Sequence, residues 1–445
     1  MAKIKKSYVC QNCGAVFGRW EGRCPECREW NRIEESAAAP TPGRGYAGAV
    51  AEICPMAEVK TRGVERISTG MQEFDRVLGG GLVPGSVVLI GGDPGVGKST
   101  ALLQVCCNLR GIKSIYVSGE ESLAQIAMRA RRLGLPADDV LLISDTEIES
   151  ICAAAGRAAP RVLVIDSIQT MQVAGVSSSP GSVSQVRESA AHLTRFAKKS
   201  GIAIFLVGHV TKTGGLAGPR VLEHIIDVVV YLEDTKSRFR IMRAIKNRYG
   251  AVNELGVFAM TEGGMKEVSN PSAIFLSRQR EQMSGSAVMV IWEGSRPLLV
   301  EIQALVDTSY AEHPRRLTVG LEANRLTMLL AVLHKHGGLV SFDKDVFVNV
   351  VGGVKVVETS ADLALLLAIV SSMKDSPLPD GLVIFGEVGL AGEIRPVANG
   401  QERLREAAKH GFKRAIISQA NVPNRAIAGM RIDGVNKLSE ALEIM

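Results

Sequence analysis

The sequence predicts an α/β protein in three parts, a P-loop core between a small cysteine-rich N-terminal module and a C-terminal α/β domain. Three observations predict it. Gly92 to Ser99 reads GDPGVGKS, preceded by the apolar run Val87-Val88-Leu89-Ile90 and followed from Lys98 to Arg110 by a stretch without Gly or Pro. Cys10, Cys13, Cys24 and Cys27 form C-x₂-C-x₁₀-C-x₂-C. From Val64 to Ser269 strand-like runs alternate with helical ones, and a second such pattern starts near Ser284. Alternation of this kind argues a parallel sheet covered by helices.

Length and composition bound the answer. At 445 residues, 46% hydrophobic and 22% charged, the chain is long enough for about three domains and has the balance of a globular protein, which excludes disordered and fibrous classes. No apolar run reaches the roughly 18 residues that a membrane span needs, and Lys3, Lys5 and Lys6 lead into cysteines instead of a signal core. A cytoplasmic protein without a membrane partner is expected. The net charge of +6 suits a polyanionic partner but equally an ordinary solvated surface.

Residues 1–32 form the first module. Two Cys-x-x-Cys turns each place two thiolates on one side, and joined they give the tetrahedral sulfur set that Zn²⁺ prefers. A disulfide pair is the alternative, disfavoured in a reducing compartment. Cys54, Cys106, Cys107 and Cys152 are scattered in apolar surroundings and read as small hydrophobes. Residues 33–60 read as a linker, rich in Ala, Pro and Gly around 36–50.

Residues 61–270 form the core. Strands are expected at Ser86–Ile90, Ser114–Val117, Val162–Ile165, Ile202–Val207, Val228–Leu232 and Arg240–Ile245, with an antiparallel edge near Glu233-Asp234. In the P-loop, Gly92, Asp93, Pro94, Gly95, Val96, Gly97, Lys98, Ser99 and Thr100 would hold ATP: glycines turn backbone N–H groups inward, Lys98 supplies charge to the β- and γ-phosphates, and Ser99 can ligate Mg²⁺. Asp166 ends the apolar run RVLVID, where it would share Mg²⁺ with Ser99. Hydrolysis also needs a group to activate water, and SGEES offers Glu120 and Glu121; position favours Glu120 as base, while solvated helix-start carboxylates are the bland reading. Two Gly/Ser-rich segments, 174–184 and 211–219, follow later strands with Arg187, Lys212 and Arg220 beside them, as mobile loops or ordinary surface.

Residues 271–445 form the last domain. SAVMVIWEG and LLVEIQALV open it, helices are expected from Glu322 to His336 and from Ser360 to Met373, and a βαβ-like finish runs through Leu382–Phe385 and Ala415–Ser418.

These motifs resemble, along essentially the whole chain, the bacterial RadA/Sms family of DNA-repair proteins, relatives of RecA and of DnaB-type helicases. STGMQEFDRVLGGGLVPGSVVLIGGDPGVGKS, SGEES, LVIDSIQT, GHVTKTGGLAGPRVLEHIID and KNRYG carry the resemblance, with KNRYG the most specific. It implies a RecA-like P-loop ATPase with a zinc module and a Lon-protease-like C-terminal domain. It implies Glu120 as catalytic glutamate and His209 as a γ-phosphate-sensing residue. Lys246 and Arg248 resemble fingers reaching a neighbouring subunit's γ-phosphate, although a basic hairpin contacting DNA or solvent is the alternative. The two Gly/Ser-rich loops resemble RecA's single-stranded DNA loops, here without aromatics, which favours backbone contacts over base stacking. Ser360 matches the serine of the Lon Ser-Lys dyad, but Gln401 stands at the lysine's place and Lys409 and Lys413 are out of register, so no peptidase is expected. The implied function is a hexameric ring-shaped motor that hydrolyses ATP on single-stranded and branched DNA and migrates branches alongside RecA. The alternative is an ATP-switched DNA-binding recombination mediator that does not translocate.

Overall fold

The computed structural model describes residues 7–10, 16–36, 65–209, 222–234, 238–276 and 283–445. The chain divides into two compact units, Met1–Val268 and Ser269–Met445. Within the first, β1 (Ser7–Cys10), β2 (Val16–Phe17) and β3 (Ile33–Ser36) make a small antiparallel sheet in the order β2-β1-β3.

The core sheet grows from sequence period. After the short helix α1 (Gln72–Val77) comes β4 (Val87–Gly92), whose six residues are all buried. A strand buried on both faces reads as an unbroken apolar run, and here successive residues serve opposite cores: Val88 and Ile90 pack with α2 (Lys98–Asn108), Val87 and Leu89 on the other side. Next come β5 (Ser114–Ser118), α3 (Leu123–Arg132), β6 (Val140–Ser144), α4 (Ile148–Ala158), β7 (Val162–Asp166), α5 (Val183–Ser200) and β8 (Ala203–His209). Ser122 and Gln125 form a reciprocal capping box that starts α3, and Gly201 at φ 74° ends α5. The sheet closes with β9 (Val228–Asp234), β10 (Phe239–Asn247), β11 (Leu255–Thr261) and β12 (Gly264–Glu267), in the order β12-β11-β10-β9-β4-β8-β7-β5-β6. Strands from β9 to β6 are parallel and the last three antiparallel, turning at the expected Asp234, opposite Arg240.

Every strand expected in the core is present. Three strands were not expected, β6, β11 and β12. β6 is an edge strand with no buried residue, although its sequence, VLLIS, is an apolar run like those of the central strands. β11 and β12 meet around Gly263-Gly264, and β12 has only two buried residues.

The second unit contains β13 (Ser286–Glu293), β14 (Arg296–Thr308), β15 (Arg316–Val319), α6 (Ala323–Gly337), β16 (Lys344–Val350), α7 (Asp362–Met373), β17 (Leu382–Phe385), β18 (Glu387–Val388), β19 (Ile394–Arg395), α8 (Gly400–Lys409), β20 (Arg414–Ser418), β21 (Arg431–Val435) and α9 (Leu438–Ile444). Its main sheet runs β15-β16-β14-β13-β17-β20-β21, with β18 and β19 paired separately. α7 is buried continuously from Asp362 to Ser371, so its apolar character goes all round and not along one stripe. Ser360, expected at its start, lies instead in a 3₁₀ turn, Thr359–Ala361, just ahead of it.

Phe74 of α1 and Phe205 of β8 are both fully buried and meet edge to face, ring centroids 5.9 Å apart. Phe74→Ala removes that contact and leaves a cavity, so chemical denaturation of the full chain should show the first unit destabilised by about 3–5 kcal/mol.

Candidate active site

Strand register brings the chemistry to one edge. Gly92 lies opposite His209, Ser118 opposite Asp166, and Gly119 N donates to Asp166 O at 2.9 Å. Because the four strands run parallel, the P-loop after β4, His209 at the end of β8, Asp166 at the end of β7 and Glu120 after β5 share the carboxyl edge. That edge is where ligands of open α/β sheets bind.

The P-loop glycines answer real constraints. Gly92, Gly95 and Gly97 have φ of 151°, 79° and 110°. A Cβ on Gly92 would lie 2.4 Å from Leu232 O, and one on Gly97 would lie 2.5 Å from Met260 Cε, so β9 and β11 press on the loop from beside it. Gly97 also N-caps α2, whose free amides face the loop. Lys98 is buried, and its Nζ donates to Gly92 O at 2.8 Å and Asp93 O at 3.0 Å. Burial pushes its ammonium pKa down, and the carboxylates of Asp166, Asp93 and Glu120 oppose that fall. Those carboxylates therefore all lie within electrostatic reach of one cation. Ser99 and Asp166 supply hard oxygen donors of the kind Mg²⁺ takes, and the P-loop residues Gly92 to Thr100 supply amides for phosphates, so the donor set fits both groups.

The two glutamates separate. Glu121 pairs with Arg129 of α3, whereas Glu120 accepts a hydrogen bond from Ser167 Oγ at 2.6 Å and lies in the field of Lys98. Ser118 Oγ accepts from both backbone amides, at 3.3 and 2.8 Å, and so fixes the turn that aims them apart.

Lys246 and Arg248 do not join this cluster. On β10, Asn247 faces Val228, the residue opposite Val88, whereas the P-loop end of β4 faces Leu232. Four residues of strand put the KNRYG segment about 13 Å away, at the other edge of the sheet. Lys246 Nζ donates to the carbonyls of Glu223 and Ile226, the latter at 2.8 Å, and burial lowers its pKa. Arg248 pairs at 3.3 Å with the buried Asp227, which also takes Lys198 at 2.7 Å and the amide of Val87 at 3.0 Å.

Of the two Gly/Ser-rich loops, 211–219, with Lys212 and Arg220, lies outside the described residues. The other, 174–184, is pinned from beneath by buried Gln185, which accepts from Val173 N and donates to the carbonyls of Val176 and Ser178, all at 3.0 Å. Sequence reading missed Gln185. It missed Ser167 and Tyr116 too, and Arg240, whose Nε donates to Val96 O of the P-loop at 3.2 Å. Only three-dimensional proximity marks them, apart from Ser167, adjacent to Asp166.

In the N-terminal module the thiols of Cys10, Cys24 and Cys27 lie within 4.8 Å of one another, and Cys13 lies outside the described residues. The Cys10 and Cys27 sulfurs are 3.7 Å apart. A disulfide would need about 2.05 Å. Tetrahedral zinc with bonds of about 2.3 Å spaces its sulfurs by about 3.8 Å, so the cluster fits the metal.

In the second unit, Ser360 is buried and its Oγ donates to Glu358 Oε1 at 2.5 Å. Arg403 of α8, 1% exposed, donates to Ser360 Oγ at 3.3 Å and grips both oxygens of Glu358 at 2.8 Å. Arg403, and not Gln401, is thus the α8 side chain at the serine. Gln401 instead lines a pocket of about 370 Å³ with Arg405 and Arg425.

Comparison with known proteins agrees with this anatomy. Family models match as a rubredoxin metal binding domain over residues 8–35, an AAA domain over 57–215 and the subunit ChlI of Mg-chelatase over 296–421. The chain is similar to three curated proteins named DNA repair protein RadA. The Escherichia coli protein is 63% identical, covering 100% of this chain and 99% of its own length. That of Pseudomonas aeruginosa is 59% identical, covering 100% of each. That of Bacillus subtilis is 45% identical, covering 99% of each. With its zinc ribbon, its RecA-like P-loop ATPase core and its Lon-like C-terminal domain, the chain belongs to the family of the DNA repair protein RadA.

Proposed function

We propose that this chain is a DNA-dependent ATPase that assembles into a homohexameric ring and moves along single-stranded DNA, promoting branch migration and processing of recombination intermediates together with RecA in the cytoplasm. The observation that carries this reading is the division of the candidate catalytic groups between two edges of one sheet. Glu120, Asp166, Lys98 and the P-loop share the carboxyl edge, while Lys246 and Arg248 stand at the other, too far to serve the same phosphates. Cations so placed fit a role at a neighbouring subunit's site, where they stabilise charge developing on the transferred phosphoryl group.

In this scheme the P-loop amides and Lys98 bind the β- and γ-phosphates, and Ser99 and Asp166 hold Mg²⁺. The metal, when bound, neutralises phosphate charge. Glu120, steered by Ser167, takes the proton of the attacking water, and His209 reads the γ-phosphate from the end of β8. Loops 174–184 and 211–219 meet the DNA backbone with Arg187, Lys212 and Arg220. The zinc is structural, since a closed four-cysteine set leaves no open position. The Lon-like domain is no peptidase in this reading, because a guanidinium holds its proton at any working pH and Arg403 cannot serve Ser360 as a base.

ATP turnover by the purified full-length protein, with and without single-stranded DNA, tests the motor. Lys98→Ala should abolish turnover, and Lys246→Ala should cut DNA-stimulated turnover by a factor on the order of 10³ while nucleotide binding persists. If Lys246→Ala keeps its DNA response, the ATP-switched mediator reading takes the motor's place. Cys24→Ser should lower bound zinc, measured by elemental mass spectrometry, from one ion per chain towards none. Ser360→Ala should leave DNA-dependent turnover unchanged.

A further inference from the structure

We infer that Tyr116 is a positioning residue of the phosphate site, donating its phenolic proton to one oxygen of Asp166 so that the other oxygen is held toward Lys98 and the Mg²⁺ position. The inference rests on the assignment of Asp166 to the metal, and it adds a residue that the P-loop scheme does not use.

Tyr116 lies in the middle of β5, fully buried, in the apolar layer that contains Val162, Val164 and α2. Its ring alone would satisfy that layer, and phenylalanine would fill it without a polar atom. A buried hydroxyl is unfavourable unless it has a partner, and the partner here is Asp166 Oδ2. Register makes the contact possible. Tyr116 sits opposite Val164, and Asp166 is two residues on, on the same face of the adjacent parallel strand.

The consequence concerns direction as much as charge. Asp166 is only 9% exposed, takes the Tyr116 hydroxyl on Oδ2 and lies within electrostatic reach of the Lys98 ammonium. A carboxylate with one oxygen fixed by a charge-assisted bond loses rotational freedom and presents its second oxygen in one direction. Metal affinity is sensitive to this kind of outer support: losing a partner that orients a ligand lowers it by roughly tenfold or more.

The test compares wild type with Tyr116→Phe. Binding of Mn²⁺ to the protein–ADP complex, read by the loss of the free-ion electron paramagnetic resonance signal, should weaken roughly tenfold in the variant. Binding of a fluorescent ADP in EDTA should stay within about twofold, because Asp166 contacts no phosphate directly in this scheme. A merely structural tyrosine would lower the thermal midpoint and leave the Mn²⁺ isotherm in place, and that result overturns the inference. Asp166→Asn separates the two assignments: if it leaves Mn²⁺ binding intact, the metal role of Asp166 itself fails; if it abolishes binding while Tyr116→Phe matches wild type, only the tyrosine's role fails. Should Tyr116→Phe not fold, 4-fluorophenylalanine at position 116 keeps the volume without the proton, and it should weaken Mn²⁺ by a similar factor. An unchanged isotherm there also overturns the inference.

Discussion

The in-register parallel pairing of β4, β8, β7 and β5 is the constraint on which the phosphate site depends. Gly92, His209, Asp166 and Ser118 are remote in sequence, yet four strands paired without a slip bring their ends to one edge. A slip of one residue would reverse the facing of every side chain in a strand, so the register must be enforced strongly. It is enforced by burial on both faces: alternating residues of β4, β7 and β8 feed two separate cores, and neither phase can move without putting large apolar side chains into the wrong layer. The price of such tight packing is that backbone must pass close to backbone, which is why the glycine at position 92 sits against Leu232 O.

The opposite edge obeys different rules. There the backbone turns back, and its cations are organised by a buried carboxylate. Asp227 is 1% exposed, and it meets one ammonium, one guanidinium and one backbone amide. An ionised carboxylate that deep must be compensated on several sides, and Lys198, Arg248 and Val87 N do this together. Arg66 adds to the rigidity by donating to Tyr249 O at 2.6 Å, while Gly79 and Gly250 approach so closely that a Cβ on either would lie within 2.9 Å of the other's Cα. KNRYG is therefore held as a shaped element and not as a loose basic tail. That rigidity is what a group acting on a second subunit would need, since a finger that had to be ordered at each encounter would lose binding energy to entropy.

Much of this was legible in the sequence, and most of the parts that were not share a physical cause. The P-loop, Asp166 and the core strands announce themselves through local pattern, because burial on two faces writes an unbroken apolar run. Glu120 was distinguishable from Glu121 only by position, and of the two contacts that discriminate them, Arg129 with Glu121 is local while Ser167 with Glu120 is long-range. β6 escaped although Val140 to Ile143 is as apolar as a central strand, so pattern alone does not account for the omission. Tyr116 escaped because inside an apolar run a tyrosine reads as one more aromatic, and its hydroxyl has meaning only once β7 lies beside it. Gln185 and Arg240 bind backbone carbonyls, which leave no trace in side-chain pattern.

The second unit shows how a resemblance in sequence can place a residue correctly and still miss its partner. By the resemblance Gln401 stands where the dyad has its lysine, and a glutamine there cannot act as a base. Two positions on, roughly 200° around α8 by helical geometry, Arg403 points inward and occupies the serine's surroundings. A guanidinium in that place does more than fail as a base. It binds Glu358 through both oxygens, leaving Ser360 as a donor to the same carboxylate and ordering the turn ahead of α7. With one acid and one permanent cation closing on each other, the cluster is electrically complete without a titratable lysine. Restoring a lysine at 401 alone would place an amine on the pocket side of the helix, and the Ser360 proton would still face a carboxylate already claimed by Arg403.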